Sequence, residues 1–211
     1  MKTLIIDTAL GACTAVAADH SLVVAAATEG MTRGHQERLG GMVRTVMAAA
    51  RWSYDDLARI AVTTGPGSFT GLRVGLAFAQ GLGLALDRPV SGLSTLGAFA
   101  HDVESRGVVW ALIDARRGQV YGQPFQDGAP LDDPAALNLE AAAARMAGTQ
   151  ARIAVGSGAA LTSAPGVETI VLAAPSPRAL ARVAAEQPQG EARPLYLRAP
   201  DAKLPGGRAP E

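Results

Sequence analysis

Residues 63–73 read Thr-Thr-Gly-Pro-Gly-Ser-Phe-Thr-Gly-Leu-Arg, and the segment they open constrains the fold more than any other. From Gly71 the chain continues Gly-Leu-Arg-Val-Gly-Leu-Ala-Phe-Ala-Gln-Gly-Leu-Gly-Leu-Ala-Leu. Gly71, Gly75, Ala79 and Gly83 recur at every fourth position, so a helix here carries one nearly side-chain-free stripe. Each interior glycine costs a helix about 0.5–1 kcal/mol relative to alanine. Glycines held in register therefore imply a compensating close approach by another backbone. The pattern leaves two partners open: this chain's own sheet and neighbouring helix, or a second molecule.

The loop ahead of the helix follows the apolar run Ile60-Ala61-Val62 and reads as a strand–loop–helix junction. Gly65 and Gly67 accept positive φ, Pro66 fixes its own φ, and Ser68 or Thr70 can cap the helix. Such a junction binds an anion or fixes where a helix leaves a sheet. The familiar nucleotide loops fit poorly. A Walker A loop needs Gly-Lys-Ser/Thr, whereas Leu72 and Arg73 follow Gly71. A dinucleotide fingerprint needs two residues between its second and third glycines, and three separate Gly67 from Gly71.

Apolar β-compatible runs at 4–7, 12–18 and 22–28, with two close turns, predict an antiparallel meander. Leu39, Met42, Val43, Val46 and Met47 follow helical spacing, predicting a helix over 35–50. A short capped helix at 53–58, a strand at 60–63, the glycine-rich helix over 70–86 and a strand at 90–93 complete a first lobe over 1–105. A helix over 94–105 leads into a second lobe over 106–199. That lobe is read as strands at 108–114 and 119–125, a helix at 139–147, strands at 152–155 and 168–172, and a last helix capped by Ser176. Residues 200–211, rich in proline, glycine and charge, are expected to be disordered. No sequence repeat stands out.

Net charge is +0, with 19 basic and 19 acidic residues, which argues against a main role in gripping nucleic-acid phosphates. The single cysteine, Cys13, excludes an internal disulfide and reads as a small buried hydrophobe. The first apolar run ends at Asp7, too short for a signal peptide, and no uncharged stretch reaches bilayer length, so a cytoplasmic location is expected. Of three histidines, His35 has Leu39 four residues on, so no helical metal pair forms there and no metal is expected. No Ser–His–Asp set can be assembled.

Five motifs in order resemble the TsaB (YeaZ) family. They are Leu4-Ile5-Ile6-Asp7-Thr8-Ala9 with Cys13-Thr14-Ala15-Val16, His35-Gln36-Glu37-Arg38-Leu39, the glycine loop, Ser91-Gly92-Leu93-Ser94-Thr95-Leu96 and Asp114-Ala115-Arg116-Arg117-Gly118-Gln119-Val120-Tyr121. Pro194-Leu195-Tyr196-Leu197-Arg198 is similar to its ending. Gln36 stands where the family usually has serine, and the likeness is sparse between residue 122 and that ending. The resemblance implies an α/β fold of two lobes, actin/sugar-kinase/Hsp70-like (ASKHA), each lobe a mixed sheet with flanking helices. It implies a non-catalytic subunit that pairs with a TsaD-like transferase, supports threonylcarbamoylation of tRNA adenosine 37, and meets tRNA only indirectly.

A TsaE-like ATPase is the implied third partner, and a homodimer is implied when the chain is alone. No membrane and no cofactor of its own are expected, ATP being used by the complex. On this reading His35, Leu39, Met42, Val43, Val46, Met47, Gly71, Arg73, Gly75 and Ala79 form the partner interface. Asp7, Thr8, Gly65, Gly67, Ser68, Asp114, Gly156 and Gly158 surround a vestigial nucleotide cleft, since the Asp-x-Gly turn and the phosphate-binding lysine are missing. The rival reading is a stand-alone ATPase or small-molecule kinase of the same fold, using Asp7 and the glycine loop.

Overall fold

A computed structural model describes residues 1–186 and 190–198; the tail expected to be disordered lies outside them. β1 (Lys2–Asp7) pairs antiparallel with β2 (Ala12–Asp19), which pairs antiparallel with β3 (Leu22–Gly30). The chain passes through α1 (His35–Ala50) into β4 (Arg59–Gly65), parallel to β1 on its other side. α2 (Phe69–Leu86) then crosses to β5 (Val90–Ser94), parallel to β4. The order is β5-β4-β1-β2-β3.

Alternation along β1 sorts the core, because successive side chains point to opposite faces. Leu4 and Ile6 join Leu39, Val43, Val46 and Met47 of α1 on one face. Ile5 points to the other face, with Val16, Ala61 and Leu93.

After α3 (Thr95–Ala100) the second sheet repeats the pattern. β6 (Val109–Arg116) pairs antiparallel with β7 (Gln119–Gln126), which also pairs with the short β8 (Ala129–Pro130) and with β9 (Ala135–Asn138). α4 (Leu139–Gly148) leads to β10 (Ile153–Val155), parallel to β6, and β11 (Glu168–Ile170) lies parallel to β10. Reading β11-β10-β6-β7-β9 against β5-β4-β1-β2-β3 gives the same order and the same strand directions. The duplicated topology, with helices on both sheets, is the two-lobed ASKHA architecture that the resemblance implies. The repeat exists in topology, with no counterpart in residue pattern.

Two boundaries differ from the sequence reading. The helix expected over 94–105 stops at Ala100, because Asp102 turns away so that its carboxylate accepts the Ser176 amide at 3.0 Å. All six residues of α3 are buried. Ala98 faces the first sheet's core, while Leu96 and Phe99 face the second's, so α3 joins the lobes. Residues 106–199 do not stay together as one lobe either. α5 (Pro177–Glu186) packs Leu180, Ala181, Val183 and Ala184 on the first sheet, and β12 (Gly190–Glu191) pairs antiparallel with β5. The apolar face of α5 finds the first lobe because Ala98 of α3 covers only part of that side of the sheet. The short helix expected over 53–58 is one 3-10 turn, Tyr54–Asp56, closed by a reciprocal Ser53–Asp56 capping box.

The glycine stripe of α2 faces inward. A Cβ at Gly71 would sit well inside van der Waals contact with the Thr8 carbonyl oxygen; at Gly75 it would lie 2.5 Å from Thr8 Oγ1. Thr8 Oγ1 in turn donates to the Gly71 carbonyl at 2.8 Å. Of the two partners the pattern left open, the helix's own sheet is the one it meets.

Gly71→Ala is expected to destabilise the chain by about 1–3 kcal/mol, through overpacking against backbone that cannot move aside. Gly81→Ala has open space around its added Cβ and should stabilise by about 0.5–1 kcal/mol. Urea unfolding of the two variants checks the opposite signs.

Candidate functional site

Two regions compete for the site: the cleft between the lobes and the outer face of α1 and α2. The cleft measures about 710 Å³ and is lined from the first lobe by Leu10, Gly67 and Ser68, and from the second by Asp114, Arg116, Tyr121 and Ser157. Its first-lobe wall is made where the loop after β4 folds onto the turn after β1. Ser68 N donates to the Ala9 carbonyl at 2.7 Å, and a Cβ at Gly67 would lie 2.5 Å from that oxygen. Ser68 Oγ accepts from Gly71 N at 3.3 Å and so caps α2, as its position predicts.

This closure seals Asp7 and Thr8 beneath the cleft wall, at 0% and 1% exposure. Asp7 Oδ1 accepts from Thr63 Oγ1 at 2.7 Å and from Ala9 N at 3.0 Å, while Oδ2 is buried with no hydrogen-bond partner. Burial raises the Asp7 pKa, opposed by those two bonds and by the charge of His35. Such a carboxyl is held toward its neutral form. Asp7 does not reach the cleft as a cation ligand would.

Gly65 (φ +117) lies behind the loop. Gly156 (φ +117) and Gly158 back onto β6; the Gly156 amide donates to Ile170 O of β11 at 3.0 Å and the Gly158 amide to Leu112 O of β6 at 2.9 Å. Asp114 does line the cleft, but one oxygen accepts from Arg116 N at 2.8 Å and the other pairs with the Arg116 guanidinium at 3.3 Å. Gly67, Ser68 and Asp114 are thus brought together at the cleft, and the other five expected nucleotide-cleft residues serve as scaffolding around it.

The expected interface residues fare similarly. Leu39, Met42, Val43, Val46 and Met47 are at most 4% exposed and form the first lobe's own core, with Gly71, Gly75 and Ala79 buried beside them. Helical periodicity identifies a buried face, and here the buried face belongs to this chain. His35 opens α1 at 8% exposure, its Nε2 buried without a hydrogen-bond partner, and it caps nothing. Arg73 alone of the ten is exposed, its guanidinium 4.4 Å from the centre of the Phe69 ring. Cys13 is buried, its thiol pushed up to about 11, first by burial and then by the Asp7 charge.

What the sequence reading missed is the reverse side of the same helix. Ala77, Gly81, Leu84 and Ala85 of α2 are exposed, Leu84 at 88%, and Val74, Phe78 and Leu82 are half-buried around them. Gly40 of α1 approaches this face, where its Cβ would lie 3.7 Å from Phe78. Within α2 only Arg73 is charged. Among the described residues α2 is long and apolar enough by composition to cross a membrane, yet it lies along the first sheet with only 33% of its residues buried. The available signal was that composition: one stripe of glycine accounts for the inner face, and only Thr70, Arg73 and Gln80 are polar on the outer one.

Comparison with known proteins gives four findings. The family model described as "TsaD: tRNA N6-adenosine threonylcarbamoyltransferase" matches residues 23–166. The tRNA threonylcarbamoyladenosine biosynthesis protein TsaB of Escherichia coli is 40% identical over 131 residues, a match spanning 60% of this chain and only 55% of that protein. An uncharacterized protein of Mycobacterium tuberculosis is 39% identical over 207 residues, covering 95% of this chain and 93% of its own. Among solved structures, YeaZ from Pseudomonas aeruginosa superposes with a TM-score of 0.80 at 28% identity, over 93% of this chain and 99% of that one.

The buried Asp7 carboxyl carries a pH signature. Its raised pKa means the folded chain binds more protons than the unfolded chain above about pH 4, so its contribution to stability falls as pH rises through that window. Asp7→Asn keeps an oxygen for Thr63 and Ala9 but does not titrate. Thermal melts of both chains from about pH 4 to 7 should show the variant gaining on the native chain as pH rises. A constant difference would contradict the burial account.

Proposed function

The chain belongs to the TsaB (YeaZ) family, and from that premise we propose that it is a non-catalytic scaffold subunit of the tRNA threonylcarbamoyladenosine pathway. It pairs through the outer face of α1 and α2 with a TsaD-like transferase. The observation that carries this is α2 itself: an 18-residue helix with a single charge, seated by a glycine stripe on one side and exposing Ala77, Gly81, Leu84 and Ala85 on the other. Thr70, Arg73 and Gln80 are the polar residues on this exposed side, and the apolar patch formed by Ala77, Gly81, Leu84 and Ala85 beside them is suited to docking.

The occupant is a protein of the same fold. The naming of relatives for threonylcarbamoyladenosine biosynthesis and the match to a TsaD model support a TsaD-like partner. A face shared by two proteins of one fold is also suited to self-pairing, so the chain alone forms a homodimer. A TsaE-like ATPase and the tRNA join through the transferase. The ATPase or kinase reading has weaker support, because the donor set does not fit a magnesium nucleotide: Asp7 is sealed under the loop and Asp114 is engaged by Arg116.

Ala77→Glu and Leu84→Glu each place a charge at an exposed position, so the fold should melt as the native chain does. Each should weaken complex formation with the TsaD-like subunit roughly a hundredfold, measured by titration calorimetry, and reduce threonylcarbamoyladenosine in cellular tRNA. A double variant that pairs at native affinity would refute the docking face.

A further inference from the structure

The ending Pro194-Leu195-Tyr196-Leu197-Arg198 is not needed for either lobe's core, yet it makes contacts in both. After β12 the chain runs without helix or strand along the first lobe, where the Ala192 carbonyl accepts from Gln80 Nε2 of α2 at 3.0 Å. Leu195 N donates to the Thr64 carbonyl at 2.8 Å. Its own carbonyl passes where a Cβ on Gly65 would lie only 3.0 Å away, so glycine at 65 makes room for the segment. The Tyr196 ring then rests on Phe69 at the start of α2, ring centres 5.3 Å apart. Finally Arg198 reaches across the cleft, its Nη1 donating to the Ala115 carbonyl at 3.1 Å and to Gln119 Oε1 at 3.3 Å, both in the second lobe.

We propose that the cleft between the lobes is a peptide-docking groove whose resident ligand is the chain's own 194–198 segment, which lies along one wall of the cleft and straps the lobes together in cis. The segment has the features of a bound peptide. Its recognition includes a main-chain bond, an aromatic contact and an arginine on a carbonyl and an amide oxygen, and it lines the same cleft as Ser68, Ile113, Arg116 and Ser157. It is also held lightly, with Leu195 38% and Tyr196 41% exposed. Tethering compensates for the few contacts, since a ligand on a short linker experiences an effective concentration in the millimolar range. A tethered ligand of this kind is displaceable by any partner that captures Tyr196 and Arg198, and its release frees the lobes to separate about α3.

Spin labels at Thr45→Cys on α1 and Glu140→Cys on α4, in a Cys13→Ala background, report the interlobe distance by electron paramagnetic resonance. The native strap should give one narrow distance distribution. Tyr196→Ala with Arg198→Ala should lengthen or broaden it, and the peptide Pro-Leu-Tyr-Leu-Arg added in trans at millimolar concentration should restore the narrow form. Arg198→Ala alone, which leaves the first lobe untouched, should broaden it in the same direction. An unchanged distribution in both variants overturns the strap, and a broadened one that the peptide leaves untouched overturns the docking groove. Neither result depends on a TsaD-like partner, so the pairing surface on α2 stands or falls separately.

Discussion

The backbone-to-backbone seat between α2 and the end of β1 is the contact on which the rest of the molecule depends. Thr8 donates to the Gly71 carbonyl, and the Thr8 carbonyl lies where any side chain at 71 would project. Only glycine allows that approach, and the following small residues at 75, 79 and 83 let the whole helix lie down on β1, β4 and β5. Two consequences follow from one contact. The loop before the helix is drawn over the β1 turn, which buries Asp7, and the helix turns its remaining apolar side outward.

Those consequences separate this chain from what its topology suggests. Two sheets of identical order with a cleft between them are the layout for which the sequence reading expected a vestigial nucleotide cleft. Here the first-lobe end of the cleft is filled by protein backbone, and a carboxyl that would face a cation is enclosed with one oxygen unpaired. The cleft is lined by main chain, the Phe69, Tyr121 and Tyr196 rings, and Arg116 and Arg198.

Much of the architecture was legible from periodicity. Residues 35–50 form a helix with the same limits as the hydrophobic spacing predicts, and the meander, the glycine-loop helix and the paired strands of the second sheet lie within a few residues of their expected places. The candidate site was legible only in part, for a physical reason. Spacing of Met42, Val46 and Met47 tells which face of α1 is apolar, but not whose core that face enters, and the core proved to be its own. Likewise Asp7 at a strand end reads the same whether it faces solvent or a sealed loop, because the deciding contact comes from Ser68, sixty-one residues away in sequence. The return of α5 to the first sheet was hidden because its amphipathic pattern fits either lobe. The exposed side of α2 could have been recognised from the uncharged run between Arg73 and Asp87.

The central claim is that the glycine-seated helix presents its outer side to a protein partner while the cleft stays out of the contact. Hydrogen–deuterium exchange of the full chain, alone and with a TsaD-like subunit, tests this most directly. The account predicts slowed exchange confined to α1 and to the part of α2 that carries Ala77, Gly81 and Leu84. Protection concentrated instead on the second sheet or on the loop at 65–68, with α2 unchanged, would contradict it.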